Sequence, residues 1–439
     1  MRGALLAVGT TAVIHRASMS EALPHSADLV VIGGGTAGAA TAGFAAAHGL
    51  RVVLLERRPL DRAGARWVNG VTRAALREAG LTVPDAAAAP PRFHLVTANH
   101  RVTVPRHDVV DLDMRALVAQ LHDRARAAGA ELIGEVQVTG REDRTVRTDR
   151  GAITARWIVD ASGLAGPGLL DTPPVAPEHL CAAAQGVYEV RDRAGAAAYF
   201  AALGLPLGEI CAHVGVAGGY SLINVRVHPG GDTVGVLTGT IPALGHPGGK
   251  VVRDDFVRAQ PWIGPMVFGG GGAIPLRRPR EELTDGTVVL VGDTGCQVFP
   301  AHGSGIGAGI LAGKLLADTL ARGGTPYDYE VAWHRRWGGL FAAYDAVRRW
   351  NQAQSGAELD RVIGRGLVDL EFARAGLDQT LPQVSPGALA RKLPGALRER
   401  GVVALGARTA AAMALGPKFP PRGRARRAWS AAMQRLLPV

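Results

Sequence analysis

Lysine is nearly absent from this chain of 439 residues: of 49 basic residues, only Lys250, Lys314, Lys392 and Lys418 are lysines. Cysteine is equally sparse. Cys181, Cys211 and Cys296 lie far apart with no CxxC pair, which excludes a disulfide framework and a thiolate metal site. No apolar run is long enough to span a bilayer. Aromatics make up 5% of residues and no basic–aromatic motif accompanies the formal charge of +11, so nucleic-acid binding is not expected. Arginine in place of lysine beside abundant alanine and glycine reads as coding bias. The basic balance still suits an acidic protein or a lipid surface.

What is present is a globular composition, 47% hydrophobic and 20% charged, in a chain long enough for two or three domains. Residues 1–26 stand apart as a leader. Arg2 and a short apolar stretch resemble a secretory signal, but His15 and Arg16 interrupt it and no small-residue cleavage site follows. The expectation is a disordered or non-native leader, with translation starting at Met1 or Met19, and a cytoplasmic, membrane-peripheral protein. The scattered cysteines suit a reducing compartment.

The segment "ADLVVIGGGTAGAATAGFAAAHGLRVVLLERR" predicts a complete βαβ unit. Leu29–Ile32 is a buried strand, Ala39–His48 a small-residue helix ended by Gly49, and Arg51–Leu55 a second strand. Between them Gly33, Gly35 and Gly38 form G-x-G-x-x-G, with Ala37 inside the loop. Gly33 permits the turn, Gly35 admits a pyrophosphate to the helix N-terminus, and Gly38 lets helix and strand pack. Glu56, at the end of the second strand, is placed to accept ribose hydroxyls and disfavours a 2′-phosphate. This is a dinucleotide cradle, and by itself it does not choose between FAD and NAD.

A second element lies far downstream. "VVLVGDTGCQVFPAHGSGIGAG" (288–309) is an apolar strand ending in Gly292-Asp293, then Pro300, then glycines that open the helix "GILAGKLLADTL". Two distant segments converging on one dinucleotide is a flavoprotein arrangement.

The whole pattern resembles the FAD-dependent oxidoreductases of the p-hydroxybenzoate hydroxylase-like group, and within it the geranylgeranyl reductase family. The likeness covers roughly residues 28–350. It implies an α/β fold with three parts: a Rossmann-like FAD-binding domain (27–165 and 271–350), an inserted antiparallel-sheet substrate domain (166–270), and a C-terminal helical region (351–439). It implies that Asp293 bonds the ribityl chain, that the backbone of Gly305 and Ile306 meets the isoalloxazine, and that Arg115 reaches FAD. Ala161 and Gly163 are implied to lie near the cofactor. "GGAIPLRRP" (271–279) matches the family's last strand before the second FAD segment, and Trp333 and Tyr344 are expected in the core.

The departures bear on the reaction. Where many reductases of the family carry a flavin-side cysteine, this chain has Arg66-Trp67-Val68-Asn69-Gly70, and the family's aromatic signature is degenerate in "GGYSLINVRVHPGGDTVGV". The reading that results is an oxidoreductase acting on C=C/C–C bonds of an apolar isoprenoid or other natural product through flavin N5 hydride transfer. The alternative is a flavin monooxygenase hydroxylating an aromatic or polyketide. A halogenase is disfavoured, because no lysine precedes Lys250. Ser221–Val227 and Thr233–Gly239 alternate with period 2, as a sheet roofing an apolar substrate would. Tyr220, His302 and His213 are the candidate proton donors or substrate contacts. No second cradle exists, so NAD(P)H binds transiently or an electron-donor protein such as reduced ferredoxin serves. The terminal "PPRGRARRAWSAAMQRLLPV" reads either as a helix lying on anionic membrane or as one packed on the protein. The oligomeric state is left open.

Overall fold

The computed structural model describes residues 23–83 and 91–439. Most of the leader expected at 1–26, with Met1 and Met19, lies outside the described residues.

The first sheet is built on the predicted βαβ unit. The strand Ser26–Ile32 pairs in parallel with Val52–Leu55 on one side and with Gly151–Asp160 on the other. Val288–Leu290 adds in parallel to Gly151–Asp160, in the register Ile158↔Val288, and Glu131–Ile133 closes the opposite edge. Leu29, Val30 and Val31 are fully buried, as a strand covered on both faces requires. The first helix runs Thr36–Ala47, starting earlier than the predicted Ala39 because extended backbone at Gly35 already serves as its cap. It packs on the helix Ile306–Ala321 through small residues. A Cβ on Gly313 would lie 2.3 Å from Thr41 Oγ1, and one on Gly309 would lie 3.1 Å from the Ala37 Cβ. The two cofactor segments of the sequence therefore touch at Ala37.

The second sheet has seven strands in the order Ile263–Pro275, Leu180–Val190, Thr233–Thr240, Ser221–Val227, Ile210–Val214, Phe93–Val96, Arg101–Val104. The period-2 stretches are strands as expected. The boundaries are not: the sheet recruits the hairpin Phe93–Val104 from inside the expected FAD-binding segment, and its edge strand runs through to Pro275, past residue 270. The reason is non-local. Phe93–Val96 pairs in parallel with Ile210–Val214, a partner no local pattern reveals.

The C-terminal region is helical: Gly356–Gly364, Leu370–Asp378, Pro386–Arg398, Val402–Leu415 and Arg424–Leu436. Trp333 and Tyr344 are buried at 1% and 3%. The last helix packs rather than lies free. Trp429, Met433 and Leu437 are buried with Phe419 and Ala412. Arg426 donates to Glu330 at 3.0 Å, and Arg278 donates to Gln434 at 2.9 Å and to the Leu437 carbonyl at 3.0 Å. Its apolar face is spent on the protein, in line with the packed one of the two readings of this segment. No helix among the described residues is long and apolar enough to cross a membrane.

Candidate cofactor and substrate cavity

A cavity of about 1260 Å³ opens where the parallel strands end and runs beneath the second sheet. Its inner end is the glycine loop. Gly33 leaves its strand with φ of +101°, and a Cβ there would lie 2.5 Å from the Ala161 carbonyl oxygen. A Cβ on Gly38 would lie 1.9 Å from the Gly33 oxygen, so Gly38 is required by packing. Gly35 differs. Its backbone is in a region open to any residue, and the nearest atom to a Cβ there is Gly64 Cα at 3.5 Å. Nothing in the protein demands glycine at 35, and the space it leaves opens on the cavity.

The first helix carries neither a side-chain cap nor an acid in its first turn, and its first-turn amides face that space. The helix Ile306–Ala321 likewise begins uncapped at Gly305, and both Gly305 and Ile306 line the cavity. Two open helix N-termini on one cavity suit a ligand that carries phosphates.

Glu56 is buried, and its carboxylate accepts from Gly34 N at 2.7 Å and Arg58 N at 3.0 Å. It therefore braces the loop as well as lining the cavity. His122 secures the other side of the loop, its Nε2 2.8 Å from the Gly34 oxygen. The sequence offered no signal for His122, because its partner is a backbone atom on another element.

Asp293 follows Val288–Leu290, after Gly292 at φ +79°. It lines the cavity half-buried, and its carboxylate has no hydrogen-bond partner among the described residues. Burial alone pushes its carboxyl up to about 6. A half-buried acid on a cavity wall, left without a donor, is what a site for a polyhydroxyl ligand looks like before the ligand arrives. The glycine loop, the uncapped helices and this acid together fit FAD.

The Asp293 carboxyl also yields a stability prediction. Its pKa in the folded protein lies above that of the unfolded chain, so ionisation costs the apo-protein stability as pH rises from about 3.8 to about 6. Asp293→Asn is expected to raise apo-protein stability by up to about 3 kcal/mol at neutral pH, with the gain vanishing below about pH 4. The same variant is expected to bind FAD more weakly. Denaturant titration of both apo-proteins across pH checks the first claim, and flavin titration the second.

Beyond the cradle the wall is mostly apolar, with Asn224, Arg226 and His228 as polar members of the roof. The Trp67 indole lies against the glycine strand, where a Cβ on Gly270 would come within 2.6 Å of the ring. Ala183, Ala212, Leu222 and Leu237 line the roof, and Val362, Leu367 and Phe372 line the side closed by the C-terminal helices. Trp67 thus occupies the place beside the cofactor cradle, and the glycine run is what makes room for it.

The candidate donors separate. Tyr220 is 4% exposed and lines the cavity, and its hydroxyl has no hydrogen-bond partner among the described residues. Burial holds its phenol protonated well above its ordinary range. His213 does not line the cavity. Strand alternation puts Ile210, Ala212 and Val214 on the cavity face, and sends His213 to the other face against Tyr199 Oη at 2.9 Å and Cys211 Sγ at 3.3 Å. His302 lines the cavity, but its Nε2 is 3.0 Å from the Gly376 carbonyl and its ring packs 5.1 Å from Phe299. Burial pushes its pKa down to about 4, so at neutral pH it is an uncharged tether between the flavin-side loop and the C-terminal helices.

Arg115, expected to reach FAD, is engaged by a neighbour. It does not line the cavity. Asp113, the cap of its own helix, holds the guanidinium at 2.6 Å, over the Phe268 ring at 4.3 Å. Ala37, Ala161 and Gly163 do line the cavity.

Comparison with known proteins agrees with this fold. The profile of the FAD dependent oxidoreductase family matches residues 28–82. A digeranylgeranylglycerophospholipid reductase of Methanococcoides burtonii is 27% identical over 342 residues, covering 72% of this chain and 80% of its own. The crystal structure of a geranylgeranyl bacteriochlorophyll reductase-like protein of Thermoplasma acidophilum superposes with a TM-score of 0.67 at 18% identity, over 87% of this chain and 98% of that one. A p-nitrophenol 4-monooxygenase of Pseudomonas putida superposes with a TM-score of 0.58 at 19% identity, over 85% and 98%. At such identities the two structures establish the shared fold and no more.

Proposed function

We propose that this chain, an FAD-dependent oxidoreductase of the geranylgeranyl reductase family, saturates carbon–carbon double bonds in a long isoprenoid-type chain held along the cavity. The observation that carries the reading is the lining. Past the cradle most of the wall is alanine, valine, leucine, Trp67 and Phe372, a surface that gains by covering hydrocarbon, and the charged side chains among the lining, Arg226 with Asp111 and Lys392 with Asp369, are paired within the protein.

The Gly33–Gly38 loop and the first helix would hold the pyrophosphate, Glu56 the adenosine ribose, and Asp293 the ribityl hydroxyls, with the backbone at Gly305 and Ile306 on the flavin side. When bound and reduced, FAD would supply a hydride equivalent. The apolar walls exclude water and lay the substrate chain against the inner end of the cavity. Tyr220 holds a proton at its Oη, on a hydroxyl committed to no other partner, for delivery to the second carbon of the double bond. The reductant would come from NAD(P)H or from a reduced ferredoxin, whose acidic surface the chain's positive charge would suit.

The test is product analysis. Holoprotein reduced under argon and given a geranylgeranyl lipid is expected to yield product carrying two extra hydrogens per double bond, with no need for oxygen. A product formed only in air and carrying oxygen from O₂ would replace this reading with the monooxygenase.

A further inference from the structure

We infer that the roof of the cavity carries a polar subsite, built on the side-chain amides of Gln185 and Asn224, which takes an uncharged, hydroxyl-bearing end of the substrate and so selects an alcohol over a hydrocarbon. Residues paired directly across antiparallel strands share a face of the sheet. One such row runs Gly270, Gln185, Leu237, Asn224, Ala212, and every member lines the cavity. The Trp67 indole covers the Gly270 end. Gln185 and Asn224 flank Leu237, one strand to either side. Gln185 is 8% exposed, and its Oε1 is buried with no hydrogen-bond partner among the described residues. The Asn224 side chain makes no hydrogen bond among the described residues either. A buried amide without a partner is costly, and two of them on one row of an otherwise apolar wall mark where a ligand supplies the partner.

The neighbours decide the charge of that ligand. Arg226, next on this face of Ser221–Val227, gives its charge to Asp111 and leaves its Nε buried without a partner among the described residues. His228 beyond it is neutral, because burial and then the Arg226 charge lower its pKa, and its Nδ1 lies 2.9 Å from Thr233 Oγ1. The roof therefore offers donors and acceptors without net charge. An anion would meet the Asp111 carboxylate with only a spent cation to hold it, and a hydrocarbon would leave both amides unpaired. A hydroxyl both donates and accepts, so it pairs with a carboxamide whichever way the amide is turned. Asp111 stands across from Gly70, whose carbonyl oxygen is 3.4 Å from Ser304 Oγ of the flavin-side loop. The other end of the roof meets the C-terminal helices: Val214 pairs with Leu222, and a Cβ on Gly215 would come within 3.0 Å of Leu359 Cδ1. The hydroxyl end is thus held on the flavin side, and the apolar chain trails toward Val362, Leu367 and Phe372. This deepens the proposed function and rests on its apolar chain.

The test uses the flavin-loaded full chain and reads binding from the change in flavin absorbance. The probes are a C20 isoprenoid alcohol, the hydrocarbon of the same skeleton without the hydroxyl, and the matching diphosphate. The alcohol is expected to bind at least ~10-fold more tightly than either of the others. Gln185→Met and Asn224→Leu are each expected to narrow the alcohol-to-hydrocarbon ratio by at least ~5-fold, with flavin content unchanged. Each replaces an unpartnered amide by hydrocarbon of similar volume, so apo-protein unfolding is expected no earlier than in wild type. Wild-type protein that binds alcohol and hydrocarbon equally, or binds neither, would overturn the inference. So would tightest binding of the diphosphate, or variants that keep the wild-type ratio. A chain that holds the alcohol through these two residues but adds hydrogen to no probe keeps the subsite and loses the reductase reading. One that adds hydrogen to alcohol and hydrocarbon with the same KM keeps the reductase reading and loses the subsite.

Discussion

Gly35→Val is expected to give a folded, colourless protein whose affinity for FAD is at least ~100-fold below wild type, about 2.7 kcal/mol. The two neighbouring glycines that look alike in the motif should behave differently. Gly33 has φ +101° with the Ala161 carbonyl oxygen at 2.5 Å from a Cβ, and Gly38 has the Gly33 oxygen at 1.9 Å. A side chain at either position forces backbone against backbone, so Gly38→Val is expected to lose the fold itself. At Gly35 the backbone accepts any residue, and a Cβ meets only Gly64 Cα at an ordinary 3.5 Å. The volume a valine fills there is cavity, next to the first-turn amides that face a pyrophosphate. Thermal unfolding of the apo-proteins separates the cases. A Gly35→Val protein that unfolds like wild type and purifies with full flavin content would remove Gly35 from the cofactor site.

Tyr220→Phe is expected to lower turnover by about 10²–10⁴-fold, the range for losing a positioned proton donor. Flavin content, the rate of flavin reduction by dithionite and the KM are expected to change little. The argument rests on what the hydroxyl does not do. It is buried, protonated, on the cavity wall and without a hydrogen-bond partner among the described residues. A hydroxyl that stabilised the fold would have a partner to lose. This one has none, so its removal should leave the apo-protein as stable as wild type or slightly more so. A destabilised Phe variant with unchanged turnover would assign Tyr220 to packing and end its catalytic role. His302 cannot take over the proton, since burial holds it neutral until about pH 4 and Gly376 occupies its Nε2.

The cofactor end of the cavity was legible in the chain, because each of its parts is made locally. An apolar run, a glycine turn and a small-residue helix fold on themselves, and the acids Glu56 and Asp293 sit where a parallel strand ends, which is where such sheets take their ligands. That Gly33 and Asp293 face one cavity was legible too, because the two segments carry the complementary halves of one pattern.

Facing and coverage were not legible. Tyr220, in the turn just before Ser221–Val227, reaches the cavity, whereas the period of Ile210–Val214 sends His213 to the other face. Arg115 looked free to reach a ligand until Asp113, two residues earlier, claimed it. "PGALARKLPGALR" and "RARRAWSAAMQRL" are both arginine-bearing amphipathic helices. Trp429 and Met433 find Phe419 and Ala412 to cover them, and Leu389, Leu393 and Leu397 stay exposed, the first two on the cavity. Amphipathicity is written in the spacing of residues along one helix. Whether an apolar face meets protein or remains at the surface depends on segments distant in the chain, and that was settled only when the tertiary fold brought them together.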